Sequence, residues 1–315
     1  MTRRRRTVAA VLAAATLLAA CSNGPDGAPG TAGPDAPAPS AVETTSPPRF
    51  DPQEPADGPA DLARRVTDAE DAVRRSATPG EQVRAAAFEL QVLYRQLGRR
   101  GGWHDRVVAA VPPRHRDTVR AHITARTELR SMHSSLSDTL PAWRIVDPAP
   151  AAQLRRHYRD AEAEFGVPWE VLAAVNLVET GMGRIRGTSV AGAQGPMQFI
   201  PSTWDAFGRG DINDPRDAIM AAARYLAHNG GGSGRIDNAL FRYNNHPAYV
   251  AAVKAWASIM TEDARAFRGF YHWRIIYLSE VGDVWLPVGY DRADPVPVRR
   301  YLRENPGHRL STATS

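Results

Sequence analysis

The sequence predicts a mainly α fold: a helical N-terminal region, a compact second helical unit and a short C-terminal β-hairpin. Three observations carry this expectation. Apolar side chains recur at helical spacing through residues 61–267, and Gly or Pro punctuates the runs. Prolines stand where helices should open, as in Asp214-Pro215 and Pro247. Only the stretch from Trp273 to Val288 is aromatic and β-branched, with Gly282-Asp283 as a break inside it.

The 315 residues leave room for one or two domains. Arg3 to Arg6 form a basic n-region and Val8 to Ala20 an apolar h-region, the pattern of an export signal. That run falls short of the about 20 residues that span a bilayer. Cys21 is the single cysteine, so no intramolecular disulfide can form. Leu18-Ala19-Ala20-Cys21 resembles a bacterial lipobox, which implies a diacylated Cys21 and anchorage to the outer face of the cytoplasmic membrane. The plainer alternative is an ordinary signal peptide with an incidental cysteine. Ser22 to Pro59 are rich in Pro, Gly, Ala, Ser and Thr; too little apolar surface is available to offset ordering, and a disordered tether is expected. The expected division is a signal over 1–21, a tether over 22–60, a helical accessory region over 61–140, a catalytic unit over 141–268, and a hairpin with tail over 269–315.

Within the accessory region, Thr78-Pro79-Gly80-Glu81 has the pattern of a capping box ahead of Val83, Phe88, Leu90, Leu93 and Leu97. Gly101-Gly102 breaks the run, Pro112-Pro113 reopens it, and Pro141 to Pro150 forms a proline-marked joint. Helices are then expected over 154–165, 168–179, 201–207, 214–228, 237–244 and 247–265. Asp214 is the N-cap of the fourth of these.

Glu179 is the most informative residue. Pro168 to Val178 is apolar on nearly every side of a helical wheel, which predicts a buried helix. Leu172, Val175, Asn176 and Glu179 share one stripe, and Thr180-Gly181-Met182-Gly183 ends the helix. Burial and the negative end of the helix dipole both disfavour the ionised carboxylate, as general-acid catalysis requires. Taken alone, a Glu in a last turn is as a rule a solvated surface residue.

Downstream motifs shift that balance. Ser189-Val190-Ala191-Gly192-Ala193-Gln194-Gly195-Pro196-Met197-Gln198 is a small-residue loop that lets backbone approach a ligand, and Gln198 offers both a donor and an acceptor. Pro201-Ser202-Thr203-Trp204, Arg242-Tyr243-Asn244 and Tyr249 follow. In this order, and over about 153–259, the motifs resemble the lytic transglycosylases of lysozyme-like fold, in particular the membrane-bound transglycosylase B-like branch. The resemblance implies a lysozyme-like helical catalytic domain acting on peptidoglycan glycan strands. Glu179 would be the single catalytic acid/base. Ser189 would position Glu179 or substrate, Gln198 would bind an N-acetyl group, and Tyr243 and Asn244 would line the cleavage point. Met197 and Tyr249 would belong to the substrate-binding set. Thr180 stands where many members have Ser, and keeps the hydroxyl.

The implied reaction cleaves the β-1,4 bond between N-acetylmuramic acid and N-acetylglucosamine. Attack by the C6 hydroxyl of the same muramic ring gives a 1,6-anhydro sugar and removes the need for a second carboxylate. Asp205, Asp211 and Asp214, the nearest other acids, read better as turn or cap residues. A hydrolytic muramidase on the same fold and a non-catalytic peptidoglycan-binding lipoprotein are the alternatives.

Other signals exclude other chemistries. Gly187-Thr188-Ser189-Val190-Ala191 lacks the final Gly of a hydrolase elbow. The glycines of 230–234 lack the Lys-Ser/Thr of a phosphate loop. Nine His residues show no paired-ligand spacing, and Gly210 to Asp214 is too short for a calcium loop, so neither metal nor cofactor is expected. The net charge of +5 is scattered, and with export it disfavours nucleic acid as a partner.

Overall fold

A computed structural model describes residues 54–189 and 191–310; Cys21 and nearly all of the expected tether lie outside them. The N-terminal region forms α1 (Pro59–Arg74), α2 (Gly80–Arg99), α3 (His104–Ala110) and α4 (Pro113–Ser131). Two short strands, β1 (Thr139–Leu140) and β2 (Arg144–Ile145), lead into α5 (Ala151–Phe165), α6 (Trp169–Thr180) and β3 (Ile185–Arg186). Next come α7 (Pro201–Phe207), α8 (Pro215–His228), α9 (Ile236–Tyr243), α10 (Pro247–Glu262) and α11 (Phe267–Tyr271). The chain closes with β4 (Ile275–Ser279), β5 (Gly282–Leu286), β6 (Val296–Pro297) and α12 (Val298–Glu304). The fold is mainly α with small antiparallel strand pairs, in keeping with the lysozyme-like expectation.

Helix α6 is the central post. Trp169, Leu172, Ala173, Ala174 and Val175 are all at 0 % exposure, and α5, α8 and α10 pack around them. Each large apolar side chain buried this way contributes about 1.5–3 kcal/mol relative to exposure. Across the nominal joint near residue 140 the packing continues: α4 lies along α10, and one apolar cluster runs from Leu62 of α1 to Trp273. A buried ion pair adds a second tie, since Arg95 of α2 grips Asp283 of β5 through two bonds of 2.9 and 2.6 Å, with Arg99 at 2.8 Å.

Several local expectations need correction. Pro79, not Thr78, occupies the N-cap of α2, with no side-chain cap bond. Thr78 is used instead in a turn, its N–H bonded to the Arg75 carbonyl and its own carbonyl held by Arg268. The joint 141–150 is not a bare connector, because β2 pairs with β3 directly after the catalytic-helix candidate. The hairpin turns at Glu280-Val281, with Ser279 opposite Gly282, so the glycine opens β5 at φ 105° rather than making the tip. The C-terminal tail also folds: β6 returns to pair with β1, and α12 packs into the small cluster of Leu140, Ile145 and Ile185. Asp214 caps α8 as expected, accepting from the N–H groups of Arg216 and Asp217.

Candidate active site

Glu179 occupies the last turn of α6 and borders a cavity of about 490 Å³. Gly181 follows at φ 60°, the left-handed conformation expected at a helix end. Burial pushes the Glu179 carboxyl up from its ordinary 4.5 to about 8, and a hydrogen bond from the Tyr249 hydroxyl pulls it part of the way back. The Tyr249 hydroxyl donates to Oε1 at 2.7 Å. Oε2 has no hydrogen-bond partner among the described residues and is not sealed away, so it is free to carry the acid's proton towards the cavity. The dipole contribution expected from the sequence is offset. The last carbonyls of α6 bond to the N–H groups of Gly181 and Met182, and the buried Arg184 donates to the Gly181 carbonyl at 3.0 Å. Burial is what holds the proton.

The small-residue loop is pinned to the same helix. Asn176, in the stripe of Glu179, donates to the Pro196 carbonyl at 2.8 Å and accepts from Tyr158 at 2.6 Å. The Thr180 hydroxyl donates to that same Pro196 carbonyl at 2.5 Å and accepts from the Gly183 N–H. The loop then folds back on itself, with Gln194 and Phe199 exchanging backbone bonds of 2.9 Å each way. Gly195, at φ 72°, sits against the Ile212 carbonyl where no Cβ would fit. Gln198 is held at φ 51°, an uncommon conformation for a non-glycine residue, and its side-chain amide donates to the Gly195 carbonyl.

Of the residues singled out from the sequence, Glu179, Ser189, Gln198, Tyr243 and Asn244 all line this one cavity. Ser189 does not reach Glu179; its Oγ accepts from the N–H groups of Ala191 and Ala193, bracing its own loop. Met197 and Tyr249, placed in the substrate-binding set by the resemblance, do not line the cavity. Both are at 0 % exposure, because Met197 fills the core and Tyr249 stands behind the acid. Met197 contributes through its carbonyl, which accepts from Tyr243 at 2.7 Å. The rings of Tyr243 and Tyr249 lie parallel, 6.4 Å apart. Burial and the neighbouring Glu179 push both hydroxyls well above their ordinary range, so they remain donors.

Sequence reasoning missed two groups of residues. Asn176, Tyr158 and Thr180 anchor the loop; the sequence placed Asn176 in the stripe of Glu179 and a hydroxyl at Thr180 but gave neither this task, and nothing in it marked Tyr158. The second group is a wall of the cavity from outside the motif region, formed by Ser137, Thr139, Pro141, Ala142 and Trp143 with Tyr277 and Pro295. Among the described residues no group of three or more His, Cys, Asp or Glu could hold a metal ion, and no helix is long and apolar enough to cross a membrane.

The family model of the transglycosylase SLT domain matches residues 157–261, from α5 to the end of α10. This segment is similar to the transglycosylase SLT domain. It contains Glu179 with every other candidate residue of the motif set. The chain is 35% identical over 80 residues to "Membrane-bound lytic murein transglycosylase F" of Thiobacillus denitrificans, covering 25% of this chain and 17% of that protein. It is 31% identical over 100 residues to "Membrane-bound lytic murein transglycosylase F 2" of Alkalilimnicola ehrlichii, covering 32% of this chain and 20% of that one. The chain thus spans a fifth or less of the length of these curated relatives, and both carry the F designation where the motifs suggested a B-like branch. No solved structure matches the chain.

Proposed function

We propose that the protein is a lytic transglycosylase that cleaves the β-1,4 bond between N-acetylmuramic acid and N-acetylglucosamine in peptidoglycan and leaves a 1,6-anhydro-muramic end. The observation that carries this reading is a single carboxyl, protonated near neutral pH by burial, that borders a cavity and lies in the segment matching the SLT domain. Glu179 Oε2 gives its proton to the bridging oxygen as that bond breaks, and positive charge develops on the muramic ring. The Tyr249 bond to Oε1 strengthens as the carboxylate forms, which stabilises the charge-separated state. The carboxylate then takes the proton from the C6 hydroxyl while that oxygen attacks the anomeric carbon. Glu179 ends the cycle protonated, and no water is consumed.

In this reading Gln198 binds an N-acetyl group, and Tyr243 and Asn244 line the cleavage point. Ser189 shapes the loop, and Tyr249 positions the acid. The protein acts in the cell envelope, held to the outer face of the cytoplasmic membrane by lipid on Cys21; the names of the two relatives, which call those proteins membrane-bound, support the envelope location only.

Digestion of purified peptidoglycan followed by mass spectrometry of the fragments tests the reaction. Anhydro-muramic ends, lighter than reducing ends by one water, are the expected product. Reducing ends would replace the reading with a muramidase, and intact glycan would leave a binding protein. Glu179→Gln should lower the rate by about 10²–10⁴-fold, the usual worth of a general acid.

A further inference from the structure

The wall of the cavity that lies outside the SLT domain is built around two aromatic side chains. Trp143 immediately precedes β2, and Tyr277 is the middle residue of β4. Both line the cavity that contains Glu179 and both are part-exposed. Their rings meet edge to face at 5.9 Å and 81°. Trp143 is also locked from behind. Its N–H bonds to the Pro141 carbonyl, its own carbonyl accepts from Arg292, and Gly187 lies so close that a Cβ there would come within 3.0 Å of the indole.

The polar tips of the two rings distinguish them from packing residues. Among the described residues, neither the Trp143 indole N–H nor the Tyr277 hydroxyl has a protein hydrogen-bond partner, and neither atom is buried. By contrast, the hydroxyls of Tyr243 and Tyr249 are committed to Met197 and Glu179. A fixed pair of rings with open donors suits a ligand that has an apolar C–H face and a rim of hydroxyls. Glu179 and Arg242 are the only charged side chains among the described lining residues, which suits contact with the uncharged face of a sugar ring.

We propose that Trp143 and Tyr277 form a pyranose-stacking subsite that this chain adds to its SLT domain, holding a sugar ring of the glycan strand away from the Tyr243–Asn244 side. The proposal rests on the glycan-cleaving reading of the cavity. It also assigns a task to segments that flank the domain: they complete the groove and set how much glycan must be present for productive binding.

The test uses the full chain carrying Glu179→Gln, so that ligand is bound without turnover, and a tetrasaccharide of alternating N-acetylglucosamine and N-acetylmuramic acid as the probe. Titration calorimetry should show binding weakened about five- to tenfold by adding Trp143→Ala, the usual worth of one aromatic contact. Trp143→Phe should recover most of that loss, and Tyr277→Ala should weaken binding to a smaller degree. In the active protein, Trp143→Ala and Tyr277→Ala should raise KM for the same glycan with little change in kcat, and Trp143→Phe should bring KM back towards the wild-type value. Unaltered affinity in Trp143→Ala, or in Tyr277→Ala should the first variant fail to fold, would overturn the subsite. Cleavage of peptidoglycan by the wild type with no loss of affinity in these variants removes the subsite alone. Tight, Trp143-dependent binding by a wild type that cuts nothing removes the enzymatic reading alone.

Discussion

Replacing Glu179 with Gln should make the protein more stable, by an amount that depends on pH. Burial raises the folded-state pKa from 4.5 to about 8. Below pH 4.5 the acid is neutral in both folded and unfolded chains, and it costs nothing. As pH rises, the unfolded chain ionises while the fold must keep the proton or bury a charge, so wild-type stability is lost until pH passes about 8. At about 1.4 kcal/mol per pH unit the ceiling is on the order of 5 kcal/mol at pH 8 and about 3 kcal/mol at pH 7. Glu179 borders the cavity, and water there screens part of this, so about 1–3 kcal/mol at pH 7 is the expected gain. Gln does not titrate and can still accept the Tyr249 bond. Thermal melts followed by circular dichroism at pH 5, 6, 7 and 8 should show a Tm gap that opens with pH, reaching about 3–10 °C at pH 7. A gap that stays constant from pH 5 to 8, or a variant less stable at pH 8, would refute the buried-acid account.

Three further outcomes follow from particular contacts. Tyr249→Phe removes the bond that holds the Glu179 pKa down, so the alkaline limb of the pH–rate profile should move to higher pH while kcat falls about tenfold; an unmoved limb would show that Tyr249 does not set the acid. Asp283→Asn leaves Arg95 and Arg99 without their buried carboxylate and should cost about 3–5 kcal/mol in denaturant unfolding, with a single transition because α2 and the hairpin share one packed body. Two separate transitions would contradict that shared packing. Cys21→Ala should release the protein from the membrane fraction, and unchanged fractionation would remove the lipid anchor.

Much of the site could be read in the chain because it is local. An apolar helix ending in Glu179-Thr180-Gly181, a glycine-rich loop and Arg242-Tyr243-Asn244 each specify a short-range conformation, and their order carried the resemblance. Helix ends were legible where the cap is a side chain, as at Asp214, and misplaced where a proline decides, as at Pro79; the hairpin break was read at Gly282-Asp283, while the turn lies at Glu280-Val281. Tyr249 lies 70 positions from Glu179, and nothing in local spacing distinguishes a ligand-facing tyrosine from one that stands behind the acid. Met197 entered the substrate-binding set only through the resemblance, and it is buried because its loop is drawn onto α6 by Asn176 and Thr180.

The sequence by itself determined the helical periodicity, the carboxylate at the end of an apolar helix, and the loop whose glycines permit close approach. These depend on residue type and short-range geometry. Tertiary structure decided which Glu179 oxygen is held and which is open, and which tyrosine is buried against the acid and which borders the cavity. It also decided that residues near 140, 277 and 295 wall the same cavity as the acid. Those facts arise from side chains far apart in the chain meeting around a common core, and no local pattern encodes such a meeting.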